Sequence, residues 1–213
     1  STKRRIQATM KGFCNYHKIL KIKMLDFPTI TVPKIALPWM KREQQEQVLE
    51  FVAYRHIPIM RFLVGYGCRV SESANLEKPH IDTEKDEIVF TERKNQRDNV
   101  LPILDEIRPF LKGGKISHMR FVFCTEDGRQ YSRQVLYRIW SDANKMAHEK
   151  YKTSIMALKN GTRHSKACQL LAQGKSIAYV ARWLGDSALT IMRNYGTISV
   201  ETLREETRRV QEV

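Results

Sequence analysis

Arg163 and His164 stand in the segment Asn160-Gly161-Thr162-Arg163-His164-Ser165. An apolar helix pattern follows, then Leu184-Gly185-Asp186, and Tyr195 comes nine residues beyond that aspartate. An arginine, a glycine turn and an isolated tyrosine in that order suit neither a metal site nor acyl transfer. They suit the movement of a phosphodiester onto a tyrosine hydroxyl. Such chemistry needs a nucleophile, cations on the two non-bridging phosphate oxygens, and an acid for the departing 5′ oxygen. Arg69 is a candidate first cation. It lies in Gly65-Tyr66-Gly67-Cys68-Arg69-Val70-Ser71-Glu72, after a glycine-marked break and before a helix, where its side chain can point into a cleft. A guanidinium suits phosphate because its fork matches two oxygens and keeps its charge at any working pH. Lys94 is the candidate acid, at the tip of a polar turn between two short strand patterns, and Arg93 and Arg97 share that turn. Taken singly, each has a plainer reading: a surface arginine, a solvated basic hairpin, a core tyrosine. Their order along the chain favours the chemical one.

The string Thr162-Arg163-His164-Ser165, Leu171-Ala172-Gln173-Gly174, Val180-Ala181-Arg182-Trp183-Leu184-Gly185-Asp186-Ser187 and Asn194-Tyr195 resembles the C-terminal half of tyrosine recombinases, the phage integrase family. The resemblance covers roughly residues 37–196. It implies a 3′-phosphotyrosyl intermediate on Tyr195, with Arg69 and Arg163 on the phosphate, Glu72 orienting Arg69, and Lys94 protonating the leaving oxygen. It implies no cofactor, neither ATP nor a divalent metal, because bond energy is retained in the protein–DNA link. Two positions depart from the family pattern. Asn160 stands where a histidine often accepts a proton. It is read as a hydrogen-bonding substitute, with Lys159 as an alternative, and His164 as a packing or hydrogen-bonding residue. Asp186 stands where histidine or tryptophan usually donates to the phosphate. It is read first as the N-cap of the helix carrying Tyr195, and second as a carboxylate turned toward Arg163, Arg193 or a backbone amide. The implied partners are double-stranded DNA with a specific site, further copies of the chain in a tetramer on DNA, and accessory DNA-bending proteins, with no membrane. The implied location is cytoplasmic and nucleoid-associated. Two rival readings stay open: a non-catalytic DNA-binding regulator derived from a recombinase, and a type IB topoisomerase-like relaxing enzyme. A metal-dependent nuclease lacks a convincing carboxylate set.

Composition points the same way. Among 213 residues, 37 are lysine or arginine and 23 aspartate or glutamate, a formal charge of +14. That excess favours a polyanionic partner through counterion release, against a basic surface kept for solubility or an acidic membrane surface. Lys3, Arg4, Arg5, Lys11, Arg93, Arg97 and Arg193 are the candidate DNA contacts. No apolar run reaches the length that spans a bilayer. Cys14, Cys68, Cys124 and Cys168 are widely separated, which argues against a zinc site or disulfide framework and for reduced thiols.

The expected fold is mainly α (α+β), a helical domain with a small three-stranded antiparallel sheet. Residues 1–26 read as a basic helix, which the resemblance makes the remnant of a core-binding domain. Residues 27–40 read as a linker bearing Pro28, Pro33 and Pro38. Residues 41–196 form the catalytic domain, and 197–213 a tail helix that the resemblance suggests is exchanged between protomers. Within the domain the patterns predict helices from about Lys41 to Tyr54, from Pro58 to Tyr66, and from near Ser71. They predict strands at 87–91 and 99–102, with 80–82 as a third. A helix is expected after Pro102 to about Lys112, and a buried strand at 121–124. The long helix from Ser132 to Tyr151 should turn Val135, Leu136, Ile139, Trp140, Ala143 and Met146 inward. The helices beyond it are expected to break at Gly161, Gly174 and Gly185.

Overall fold

The computed structural model describes Thr9 and residues 38–91, 98–111 and 120–195. The chain divides after Ile35 into two units, and the architecture here is that of the second. It is the expected mainly helical domain with a three-stranded antiparallel sheet. Among the described residues no helix is long and apolar enough to cross a membrane.

Helix α1 spans Arg42–Leu49. Its start is closed by Gln44, whose side-chain oxygen accepts the Lys41 N–H at 3.0 Å, and Glu43 places negative charge in the first turn. It stops short of Tyr54 because the backbone extends at Ala53 before a 3₁₀ turn over Tyr54–His56. Helix α2, Ile57–Tyr66, carries Pro58 in its first turn and ends on Gly67 at φ 63°. Two constraints coincide at that glycine. Its φ is strained for any side chain, and an added Cβ would stand 2.6 Å from the Lys166 Cβ. Helix α2 is the centre of the core, burying Ile59, Met60, Phe62, Leu63, Val64 and Tyr66. Helix α3 follows at Val70–Ala74.

The sheet has strands β1 (Ile81–Asp82), β2 (Glu87–Phe90) and β3 (Asn99–Pro102) in sequence order. Register pairs Ile88 with Leu101 and Phe90 with Asn99. Alternation in β2 buries Ile88 and Phe90, and the Phe90 ring lies 5.9 Å from Phe62 and 5.6 Å from Tyr66 on α2. The helix expected to run from Pro102 to Lys112 is shorter, α4 at Arg108–Leu111. Pro109 has no N–H to give the Asp105 carbonyl, so an α-helix cannot extend upstream. The strand expected at 121–124 is reduced to isolated bridges, Glu77 with Phe121 and Cys124 with Gln130. A turn closed by Gly128 N–H to the Thr125 carbonyl folds the chain back at once.

Helix α5, Arg133–Tyr151, is capped by Ser132, which accepts the Val135 N–H. Its inner face differs from the expectation. Leu136, Trp140, Ala143, Asn144 and Ala147 are buried, whereas Val135 is 40% and Met146 50% exposed. Trp140 Nε1 and Asn144 Nδ2 both donate to the Met156 carbonyl, at 2.9 and 3.1 Å. That shared acceptor lets a polar residue sit on the inner face.

The chain does not break at Gly161. It widens into a π-helical turn over Asn160–His164 and continues as α6, Ser165–Ala172. Breaks do occur at Gly174 and Gly185, both at positive φ. Helices α7 (Ile177–Leu184) and α8 (Ala188–Tyr195) complete the domain. They share a second apolar cluster with α6, made of Ala167, Leu170, Val180, Ala181, Leu184 and Ile191. Gly161 is needed for closeness: its Cβ would lie 2.3 Å from Trp140 Cζ2. Gly161→Ala gains about 1 kcal/mol of helix propensity. A rigid buried indole has nowhere to go, and overpacking costs up to about 3 kcal/mol. The net expectation is a loss of about 2 kcal/mol in urea unfolding, and a more stable variant would contradict the packing argument.

Candidate active site

Arg69 occupies the position just before α3, with extended backbone. Glu72 holds it twice: one carboxylate oxygen accepts the Arg69 backbone N–H at 2.6 Å, the other accepts Nη1 at 2.7 Å. The remaining Nη2 donates to Asp186 Oδ1 at 2.8 Å. Arg163 comes from the π-turn and is only 7% exposed. Its Nη1 donates to the Gly67 carbonyl at 3.2 Å, and its Nη2 to the Leu184 carbonyl at 2.7 Å and Asp186 Oδ2 at 2.6 Å. One carboxylate thus bridges two guanidiniums that are far apart in sequence.

Asp186 is therefore not the N-cap of α8. Ser187 is: its Oγ accepts the Thr190 N–H at 3.1 Å. The energies decide the matter. A cap contributes about 1 kcal/mol, whereas stripping the counter-ion from a buried charge costs roughly 3–5 kcal/mol. The backbone presents Asp186 for this task. Gly185, at φ 63°, ends α7 in a Schellman turn, with Asp186 N–H to Ala181 and Gly185 N–H to Arg182.

Tyr195 ends α8 half-buried, its ring 5.2 Å from that of His164. Burial pushes the phenol above its ordinary value; the Arg163 guanidinium opposes this, and Cys168 and Asp186 add to it. The phenol therefore holds its proton at neutral pH. His164 is itself buried and lies 3.8 Å from Cys168 Sγ. Burial raises that thiol to about 12, so it stays protonated. Asn160 opens the π-turn, and its carbonyl accepts from Ser165 Oγ at 2.7 Å. Among the described residues no hydrogen bond joins its side chain to the arginine pair. Arg193 is exposed on the last turn of α8. Arg69, Glu72, Arg163, His164, Asp186 and Tyr195 are thus brought together. Lys94, Arg93, Arg97, Lys3, Arg4, Arg5 and Lys11 lie outside the described residues. The start of β3 is fixed to α7, because Asn99 Nδ2 donates to the Trp183 carbonyl at 3.3 Å.

Residues with no motif hold the π-turn. Widening a helix frees carbonyls that need donors. Gln45 of α1 supplies one to Gly161 at 2.6 Å. Ser165 supplies the other, to Asn160, and accepts the Met40 N–H at 2.8 Å. Gln169 links Met40 to Gln45, at 2.9 and 3.0 Å. Gln45 is fully buried, and a glutamine on the apolar face of α1 is its only sequence signal. Trp183 is a second strut: Nε1 donates to the Tyr66 carbonyl at 3.0 Å, and the Lys166 ammonium sits 5.2 Å from its ring. Burial, then the nearby Arg42, lowers the Lys166 pKa. Gln45→Met keeps the volume and removes the donor. It should lower unfolding stability by about 2 kcal/mol through the orphaned Gly161 carbonyl, read from the urea midpoint. An unchanged midpoint would mean that this carbonyl finds another donor.

The sequence profile of the phage integrase family matches residues 38–201. The tyrosine recombinase XerA of Thermococcus kodakarensis is 28% identical over 181 residues, covering 82% of this chain and 63% of that protein. The tyrosine recombinase XerD of Bifidobacterium longum is 26% identical over 168 residues, covering 72% of this chain and 53% of that protein. The chain thus spans between half and two thirds of the length of these curated relatives. Among solved structures, a crystal structure of XerA recombinase superposes with a TM-score of 0.67 at 18% identity, over 98% of this chain and 76% of that one. The Tn1549 transposon integrase in complex with transposon right end DNA gives 0.72 at 17% identity, over 98% and 78%. At such identities the structural likeness speaks for the fold. The profile match covers well over half of the sequence and takes in every member of the arginine–aspartate–tyrosine cluster: the chain belongs to the phage integrase family.

Proposed function

We propose that this chain is the catalytic part of a site-specific DNA recombinase that cuts and rejoins strands through a 3′-phosphotyrosyl intermediate. The observation that carries the proposal is the convergence of Arg69 and Arg163 on one carboxylate, that of Asp186, with Tyr195 packed on the residue next to Arg163. In this reading the scissile phosphate lies where two guanidiniums can each take a non-bridging oxygen. The Tyr195 oxygen attacks phosphorus in line and passes its proton to solvent water. The P–O5′ bond breaks, and Lys94 gives its proton to the departing oxygen. A 5′ hydroxyl from a second strand then attacks the phosphotyrosyl phosphorus and gives its proton to the now neutral Lys94; the P–O bond to Tyr195 breaks, its oxygen takes a proton back from water, and the diester is regained. Specific recognition rests on phosphate clamping by the basic residues with base contacts superposed. The assembly is a tetramer on paired sites, with residues 197–213 exchanged between subunits and accessory DNA-bending proteins as helpers. The formal charge of +14 supports a DNA partner, and the relatives named above are recombinases. Neither the regulator nor the relaxing enzyme gains comparable support.

The test uses end-labelled nicked duplexes from a randomised pool, in which a cut strand loses the short piece needed for religation. A denaturing gel should show a protein–DNA adduct in the presence of EDTA, and Tyr195→Phe should abolish it. Sequencing the trapped DNA identifies the site. Tight binding with no adduct sinks the enzymatic reading. Lys94→Ala should slow adduct formation by about 10²–10⁴-fold, and a 5′-bridging sulfur should restore it, because that leaving group needs no acid. Failure of the sulfur to rescue moves the acid role to Arg93 or Arg97.

A further inference from the structure

The arginine pair is already occupied. Asp186 Oδ1 meets Arg69 Nη2 at 2.8 Å and Oδ2 meets Arg163 Nη2 at 2.6 Å. One oxygen for each guanidinium is also how the two non-bridging oxygens of a phosphodiester would be shared. The carboxylate is not required to orient either arginine. Glu72 fixes Arg69 through both backbone and side chain, and two carbonyls, Gly67 and Leu184, fix Arg163. Take the carboxylate away and an anion seat remains, with its walls still held. A phosphate cannot enter beside an unmoved carboxylate, because like charges in contact repel strongly away from water. The Asp186 side chain is one-fifth exposed and stands on the turn between α7 and α8, so it can swing outward without unpacking a helix.

We propose that Asp186 is an internal competitor for the phosphate seat and thereby a specificity-determining residue. Off DNA it neutralises Arg69 and Arg163. Only a phosphodiester held by many other contacts displaces it, while stray sulfate, inorganic phosphate and non-specific DNA do not. This rests on the reading of the two arginines as phosphate ligands.

Thermal unfolding in millimolar sodium sulfate, with sodium chloride holding ionic strength constant, tests the idea. Sulfate has the shape and charge of the missing ligand, and a native-state ligand raises Tm by mass action. Asp186→Asn and Asp186→Ala should each show a saturable rise of about 3 °C, against less than about 1 °C for the wild type. Adding Arg69→Ala to Asp186→Asn should remove the response. Folded variants that respond no more than the wild type overturn the proposal. So does a wild-type protein that itself gains several degrees, a result that needs no variant to fold. The two readings fail separately. Absence of a Tyr195 adduct would remove the enzymatic reading and leave the sulfate response standing, whereas a flat sulfate response would remove the competitor and leave the adduct.

Discussion

A guanidinium withdrawn from water must be met by acceptors on every side, and Arg163 imposes that demand on the rest of the domain. Its acceptors come from the end of α2 (Gly67), the end of α7 (Leu184) and the turn before α8 (Asp186). Three elements are thereby fixed at one point. All three acceptors lie at glycine turns: Gly67 offers its own carbonyl, and Gly185 stands between Leu184 and Asp186. A charge left without these partners would cost several kcal/mol, a sizeable share of the stability of a domain this size. Geometry at the arginine is therefore coupled to whether the domain is folded at all.

The π-turn is the second part of this arrangement. An ordinary α-helix through 158–172 would satisfy its own carbonyls. The widened turn over Asn160–His164 leaves Asn160 and Gly161 to be met by Ser165 and Gln45. Gly161 lets that turn lie against Trp140, so the long helix α5 supports the turn from below. On the other side, Trp183 stacks with Tyr66 at 6.2 Å and bonds to its carbonyl, which ties α7 to the core helix. The Asn99 contact carries the same support to the sheet.

What could be read from the sequence was local. Glycines ending helices, the period-two alternation of β2 and β3, and the acid three residues after Arg69 each express a rule acting over a few residues. The glycine turns at 67, 174 and 185, the alternation in β2 and the acid after Arg69 appear in the structure, as do the helices expected within the described residues, with shortened ends where Ala53 and Pro109 intervene. What escaped was long-range or competitive. Gln45 serves Gly161 across more than a hundred residues, and no short-range pattern announces such a donor. Met146 fits an apolar stripe, yet the buried face carries the polar Asn144, whose amide is met by the Met156 carbonyl. Gly161 looks like a helix breaker when α-helix and interruption are the only choices considered. Asp186 has good cap chemistry, but the stronger claim on it comes from cations that only the folded chain brings near.

One tie reaches beyond the helices. The Met40 backbone N–H donates to Ser165, whose hydroxyl in turn donates to the Asn160 carbonyl, and the Met40 carbonyl takes Gln169. A residue that reads as the end of a linker is thus sewn into the floor beneath the arginine. The functional border of the domain does not coincide with its first helix: a polypeptide trimmed to start at Lys41 would keep α1 to α8 and still lose a stitch beside its chemistry.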